Sequence, residues 1–249
     1  MKLGFGKLAP WVLVCLAMSV GVASAQTVAP IVSFNGSNGA NPHASLIQAQ
    51  DGYMYGTTYY GGASNYGTIF KVSNQGAYTL LHTFTNTDGA RPWSGLVQAT
   101  DGNFYGTTSL GGTLGGGTVF KITSSGTLTT LFNFGGNGGT IPYGGLLLAT
   151  DGNFYGTTYS GGTNGKGTVF KIANGVLTTI YNFAGTDGAG PYATLIQGTD
   201  GNLYGTTYQG GTSNEGTVYV ITTAGSLTTL YSSLTGSPHA RSRSYQPIA

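Results

Sequence analysis

Asp101-Gly102-Asn103-Phe104-Tyr105-Gly106-Thr107-Thr108 is one of four copies of a single octet in this chain. It recurs unchanged at Asp151–Thr158. It recurs with small changes as Asp51-Gly52-Tyr53-Met54-Tyr55-Gly56-Thr57-Thr58 and Asp200-Gly201-Asn202-Leu203-Tyr204-Gly205-Thr206-Thr207. A period of about fifty residues marks a repeat architecture, in which each unit buries its apolar face against its neighbours.

One unit divides into four strand-like runs. These are Leu96-Val97-Gln98-Ala99, Phe104–Thr108, Gly117–Ile122 and Leu128–Phe134, separated by Asp-Gly, Gly-Gly and Ser-Gly turns. Asp-Gly between two β-rich runs is a strong hairpin signal, because both residues tolerate positive φ. Four short antiparallel strands in about fifty residues describe a propeller blade. The fourth run occurs five times, at Ala29–Phe34, Tyr78–Phe84, Leu128–Phe134, Leu177–Phe183 and Leu227–Tyr231. The expectation is therefore all-β: a β-propeller-like ring of four four-stranded antiparallel blades of about fifty residues, plus one redundant outer strand at the amino end. A fragment of a larger ring is the alternative. Gly56, Gly106, Gly156 and Gly205 share one mid-strand position, which implies a shared steric limit set by the adjacent blade or a crowded inner strand. The paired threonines that follow suit strands and can join hydroxyls across them.

Outside the repeat, Lys2 and Lys7 precede an apolar run, Leu8–Val22, and Ala23-Ser24-Ala25 forms a small-x-small cleavage site. This reads as a secretory signal peptide over residues 1–25, too short to span a membrane. The repeat domain then covers 26–232, and 233–249 reads as a degenerate or truncated next repeat. Cys15, the single cysteine, lies inside the leader, so the exported chain has neither thiol chemistry nor disulfides. Charged residues are 6% of the chain, against about a quarter in ordinary domains. That excludes a basic nucleic-acid groove and leaves little steering of charged partners.

The combined unit is Gly-Thr-Val-Phe-Lys-Ile (117–122), Leu-Thr-Thr-Leu (128–131), Asp-Gly-Ala-Gly-Pro (187–191) and the octet at 151–158. It resembles the tandem repeat of the GloVer-containing choice-of-anchor proteins, over nearly all of 27–230. The resemblance implies an exported bacterial propeller-like repeat protein of unassigned biochemical role. It supplies no catalytic residues. Members often end in a sorting domain, for which Ser237–Ala249 shows no apolar anchor or motif.

The recurring aspartates Asp51, Asp101, Asp151 and Asp200 are weak metal candidates, since calcium wants six to eight oxygens from clustered carboxylates; a turn aspartate bonding its own backbone explains them more simply. Lys71, Lys121 and Lys171 share a position that Val220 breaks, so packed stems with solvated heads account for them. His43, His82 and His239 form no common set, Glu215 is the only glutamate, and no Gly-x-Ser-x-Gly elbow is present. No catalytic residues and no cofactor are expected.

The loops that vary carry the flat side chains. Trp93, Tyr143 and Tyr192 follow the prolines, and Tyr159 and Tyr208 follow the second strand. Aromatics among Ser, Thr and Asn are the materials of a sugar-binding surface, and also of ordinary packing between blades. The sequence thus points to an exported non-catalytic module for a glycan or surface protein. A carbohydrate-active propeller enzyme and a structural envelope component stand as alternatives. Unpaired outer strands further suggest a strand-swapped oligomer through Ala29–Phe34.

Overall fold

The computed structural model describes residues 30–232; the leader over 1–25 and the tail over 233–249 lie outside them. Blade 1 comprises β1 (Ile47–Gln48), β2 (Met54–Thr58), β3 (Thr68–Val72) and β4 (Tyr78–Thr83). Blade 2 comprises β5 (Val97–Gln98), β6 (Phe104–Thr108), β7 (Thr118–Ile122) and β8 (Leu128–Asn133). Blade 3 holds β9 (Leu147–Leu148), β10 (Phe154–Thr158), β11 (Thr168–Ala173) and β12 (Val176–Asn182). Blade 4 adds β13 (Ala189–Pro191) to β14 (Ile196–Gln197), β15 (Leu203–Gln209), β16 (Thr217–Ile221) and β17 (Leu227–Ser232). Each blade is an open antiparallel meander in sequence order, and in blade 4 both β13 and β14 pair with β15. The four repeat-derived blades are those expected from the sequence.

The amino-terminal copy of the fourth run behaves differently. The described residues Pro30–Asn35 belong to no strand, and Ala29 lies outside them. Among the described residues no third strand pairs with this segment, and Pro30 has no N–H to offer a ladder.

Apolar residues meet between successive sheets. Tyr55 and Ile69 of blade 1 bury against Phe104, Phe120 and Ile122 of blade 2. Val119 meets Phe154 and Phe170 at the next junction, and Tyr155 and Val169 meet Leu203 and Tyr219 at the third. Ring pairs tie the junctions, Tyr55 stacked on Phe104 at 3.9 Å and Tyr105 tilted over Phe154 at 4.5 Å between ring centres.

Inside each blade the octet does three jobs. The Asp carboxylate accepts the backbone N–H two residues on (3.0 Å for Asn103 onto Asp101) and closes the turn. The tyrosine hydroxyl of the next strand donates to the same carboxylate, at 2.7 Å in Tyr55–Asp51 and Tyr155–Asp151. The second threonine faces its partner across the sheet, Thr108 Oγ1 to Thr118 Oγ1 at 2.8 Å, with counterparts in the other three blades. The mid-strand glycine is explained within its own sheet rather than by the adjacent blade. A Cβ on Gly156 would lie 2.4 Å from Phe170 Cζ, the ring of its cross-strand partner.

Candidate functional site

Four equivalent loops carry a proline followed by His43, Trp93, Tyr143 or Tyr192. The residue before each proline, Asn41, Arg91, Ile141 or Gly190, has φ of 54°, 60°, 61° or 61°. That region is unusual for any side chain and a true outlier for the β-branched Ile141. Backbone bonds on both sides enforce it. The N–H groups of Arg91 and Ile141 donate to Tyr66 and Gly116 of the preceding blade, at 2.7 and 2.8 Å. Their carbonyls accept from Ser109 and Tyr159 of their own blade, at 3.0 and 2.9 Å. Pro142 then closes on Gly117, where a Cβ would stand 2.9 Å from the proline ring; φ of +98° at that glycine gives a second reason for its identity.

This bridging folds the proline loop back along the end of the second strand, which brings the two variable aromatic sets together. Trp93 lies edge-on to Tyr143 at 5.4 Å and to Tyr192 at 6.0 Å. Tyr143 lies 4.7 Å from Tyr192 and 5.5 Å from Tyr159. Tyr143, Tyr159, Tyr192 and Tyr208 line one depression of about 190 Å³. All five sequence candidates, Trp93, Tyr143, Tyr159, Tyr192 and Tyr208, are half-buried. Burial, and then the neighbouring tyrosines, raise the Tyr143 and Tyr192 hydroxyls above their ordinary pKa, so both stay neutral donors and acceptors at physiological pH.

Three members of the cluster were not among the sequence candidates. His43 stacks on Trp93 at 4.5 Å, Tyr59 stands edge-on to both, and the Arg91 guanidinium lies 4.0 Å above the Tyr60 ring. Repeat phase could have found two of them, because His43 occupies the Trp93 position and Tyr59 the Tyr159 position; Arg91 stands where the other repeats have Asn41, Ile141 and Gly190.

The remaining candidates lie elsewhere in the blades. Asp51, Asp101, Asp151 and Asp200 are each engaged by their own turn and a tyrosine hydroxyl. Among the described residues no three His, Cys, Asp or Glu side chains gather as metal ligands. Lys71 reaches the Ser124 carbonyl at 3.1 Å, and Lys171 reaches Asp151 at 3.5 Å. His82 and Asp88 pair at 2.9 Å across a turn. No carboxylate is among the residues that line the tyrosine depression.

Strands in this order, with aromatic loops gathered at one end of the blades, define a repeat protein of propeller type. The Gloeobacter/Verrucomicrobia repeat matches residues 20–146 and 73–244, and the chain belongs to that family. No curated protein matches it. Among solved structures it is similar to virginiamycin B lyase from Staphylococcus aureus, with TM-score 0.53 and 17% identity over 76% of this chain and 55% of that one. It is also similar to a streptogramin B lyase, with TM-score 0.54 and 17% identity over 80% and 56%. A gluconolactonase from Xanthomonas campestris gives 0.50 and 16% over 74% and 60%. The chain thus spans little more than half the length of these proteins, and at such identities the likeness is one of fold. Among the described residues no helix is long and apolar enough to cross a membrane.

Proposed function

We propose that the protein is an exported, non-catalytic binding module whose aromatic depression seats a sugar ring of a glycan at the cell exterior. The observation that carries this reading is the convergence of Tyr143, Tyr159, Tyr192 and Tyr208 on one depression whose lining includes no carboxylate. Aromatic faces pack on the apolar faces of a sugar while the tyrosine hydroxyls serve its polar rim. A volume of about 190 Å³ falls below the ~300–1,000 Å³ of drug-sized sites and suits one ring of a longer chain. The backbone strain at Ile141 supports the same place, since strained residues cluster where ligands are held. Glycoside hydrolysis would need two carboxyls about 5–10 Å apart flanking the bond. The repeat aspartates are instead committed to turns.

Glycan-array screening followed by calorimetry tests the reading. Tyr143→Ala is expected to weaken the best hit about thirtyfold, equivalent to about 2 kcal/mol. Binding indifferent to both Tyr143→Ala and Trp93→Ala would remove the site. Turnover of the bound sugar would replace the module with an enzyme. Export is checked by locating the processed chain outside the cytoplasm.

A further inference from the structure

The three internal junctions follow one pattern, and the two terminal faces of the array carry the halves of a fourth. At each internal junction a forward face meets a back face. Ile47, Tyr55, Ile69 and Leu81 of blade 1 pack on Leu96, Phe104 and Phe120 of blade 2. The forward face of blade 4 presents the corresponding Ile196, Tyr204, Val218 and Leu230. Ile196 is 65% exposed and Leu230 54%. Tyr204 and Val218 are half-buried, where Tyr155 and Val169 of blade 3 are fully covered. The back face of blade 1 mirrors this: Leu46 is 47% exposed, while its counterparts Leu96, Leu146 and Leu195 are at most 6% exposed.

We propose that a second copy of this chain covers both faces, head to tail, so that two four-bladed arcs close one ring. The occupant is specified by the repeat itself. The surface that fits an uncovered forward face is a back face in this register, and blade 1 carries one. The pairing continues the junctions already formed, with Tyr204 taking the place of Tyr55 or Tyr105, and Met54 that of Phe104 or Phe154. Thioether and ring make a favourable contact. Chemistry matches as well, since both faces are apolar and uncharged at these positions. Head-to-tail contacts of this kind close into rings when the rotation allows. Docking displaces Ile31–Ser33, which belong to no strand; the Ile31 carbonyl lies against Gly76 as those of Leu81 and Ile180 lie against Gly126 and Gly225, the place that the partner's Leu230 would take.

The test is the mass of the purified protein in solution, by sedimentation and light scattering. Two copies are expected, and Leu230→Asp should weaken their association at least about tenfold. Leu230 is 54% exposed, so that variant should keep its far-UV circular dichroism. An independent arm mixes a Met54→Cys chain with a Tyr204→Cys chain and adds a short thiol crosslinker, there being no other cysteine after leader removal. A two-chain product from the mixture, and from neither chain alone, supports the contact. A single-copy mass, an open-ended ladder of masses, or association unaffected by Leu230→Asp would overturn the closed pair.

Discussion

Blades 3 and 4 carry almost the same octet, yet they use it differently. In blade 3, Phe154-Tyr155-Gly156-Thr157-Thr158 is buried throughout, closed in by blade 2 on one side and blade 4 on the other. In blade 4, Leu203-Tyr204-Gly205-Thr206-Thr207 is buried only at its ends, because its forward face has no neighbour among the described residues. A repeated residue therefore has no fixed energetic value. Its contribution depends on whether the next repeat is there to cover it.

The largest effect expected from this contrast is at Gly156. An alanine there sets Cβ at 2.4 Å from Cζ of the fully buried Phe170 ring. Overpacking of that kind costs about 1–3 kcal/mol, and Gly156→Ala should fall at the upper end by urea denaturation. A loss below about 0.5 kcal/mol would mean the ring moves aside and that sterics do not explain the glycine.

Next in size is a matched pair. Tyr155 donates to Asp151 at 2.7 Å from a fully buried ring, and Tyr204 donates to Asp200 at 2.8 Å from a half-exposed one. Tyr155→Phe removes that bond from a ring the next blade covers, while the Asp151 carboxylate itself is exposed and keeps its bonds from Asn153, and should cost about 1–1.5 kcal/mol. Tyr204→Phe leaves a carboxylate that water can serve, and should cost clearly less than Tyr155→Phe. Equal losses would erase the distinction between covered and uncovered blades.

Blade 4 also departs in sequence. Where Phe70, Phe120 and Phe170 sit, it has Tyr219, whose hydroxyl is buried without a hydrogen-bond partner. Burial alone drives its pKa far upward. Tyr219→Phe restores the repeat's own residue and should stabilise the protein by about 1 kcal/mol, read as a rise in melting temperature. A fall would mean that the hydroxyl has a partner, such as an ordered water.

Most of the fold was legible because the octet, the turns and the apolar alternation agree at every level. Phe104–Thr108 and Leu128–Asn133 appear almost as the sequence delimits them. What was not legible depends on neighbours. Ile31–Phe34 matches the outer-strand pattern, yet among the described residues no third strand pairs with it and it stays irregular. Conversely, β13 forms because the loop at Ala189–Pro191 folds back on β15, a contact between segments that no local pattern announces. The same fold-back carries the site. Tyr143 was recognisable as a loop aromatic, but its meeting with Tyr159 follows from Ile141 bonding the backbone of two blades at once. That geometry reads as a strained backbone, which composition does not reveal.

The smallest effect divides along the same line and concerns pH. Asp151 and Asp101 are raised by burial, but hydrogen bonds from Asn153 and Tyr155, or from Asn103 and Tyr105, outweigh it and hold both below the ordinary carboxylate value. At Asp200 the bonds from Asn202 and Tyr204 lead, and the direction is the same. A carboxylate depressed on folding contributes stability that is present above its unfolded pKa of about 4 and is lost as pH falls through the folded value. At the other end of the Asp101 bond, burial and then that carboxylate push Tyr105 up to about 12, and Tyr181, which donates to Asp187, is raised alike by burial and its carboxylate. A raised phenol contributes stability that is intact below about pH 10 and fades as pH climbs toward the folded value. Melting temperature should therefore be level between about pH 5 and pH 9 and fall on both sides. Asp151→Asn should flatten the acid limb more than Asp200→Asn, because the Asp151 partner ring is sealed by blade 4 and the Asp200 partner ring is open to solvent. Equal flattening would show that acid sensitivity belongs to the turn alone, independent of the junction that covers it.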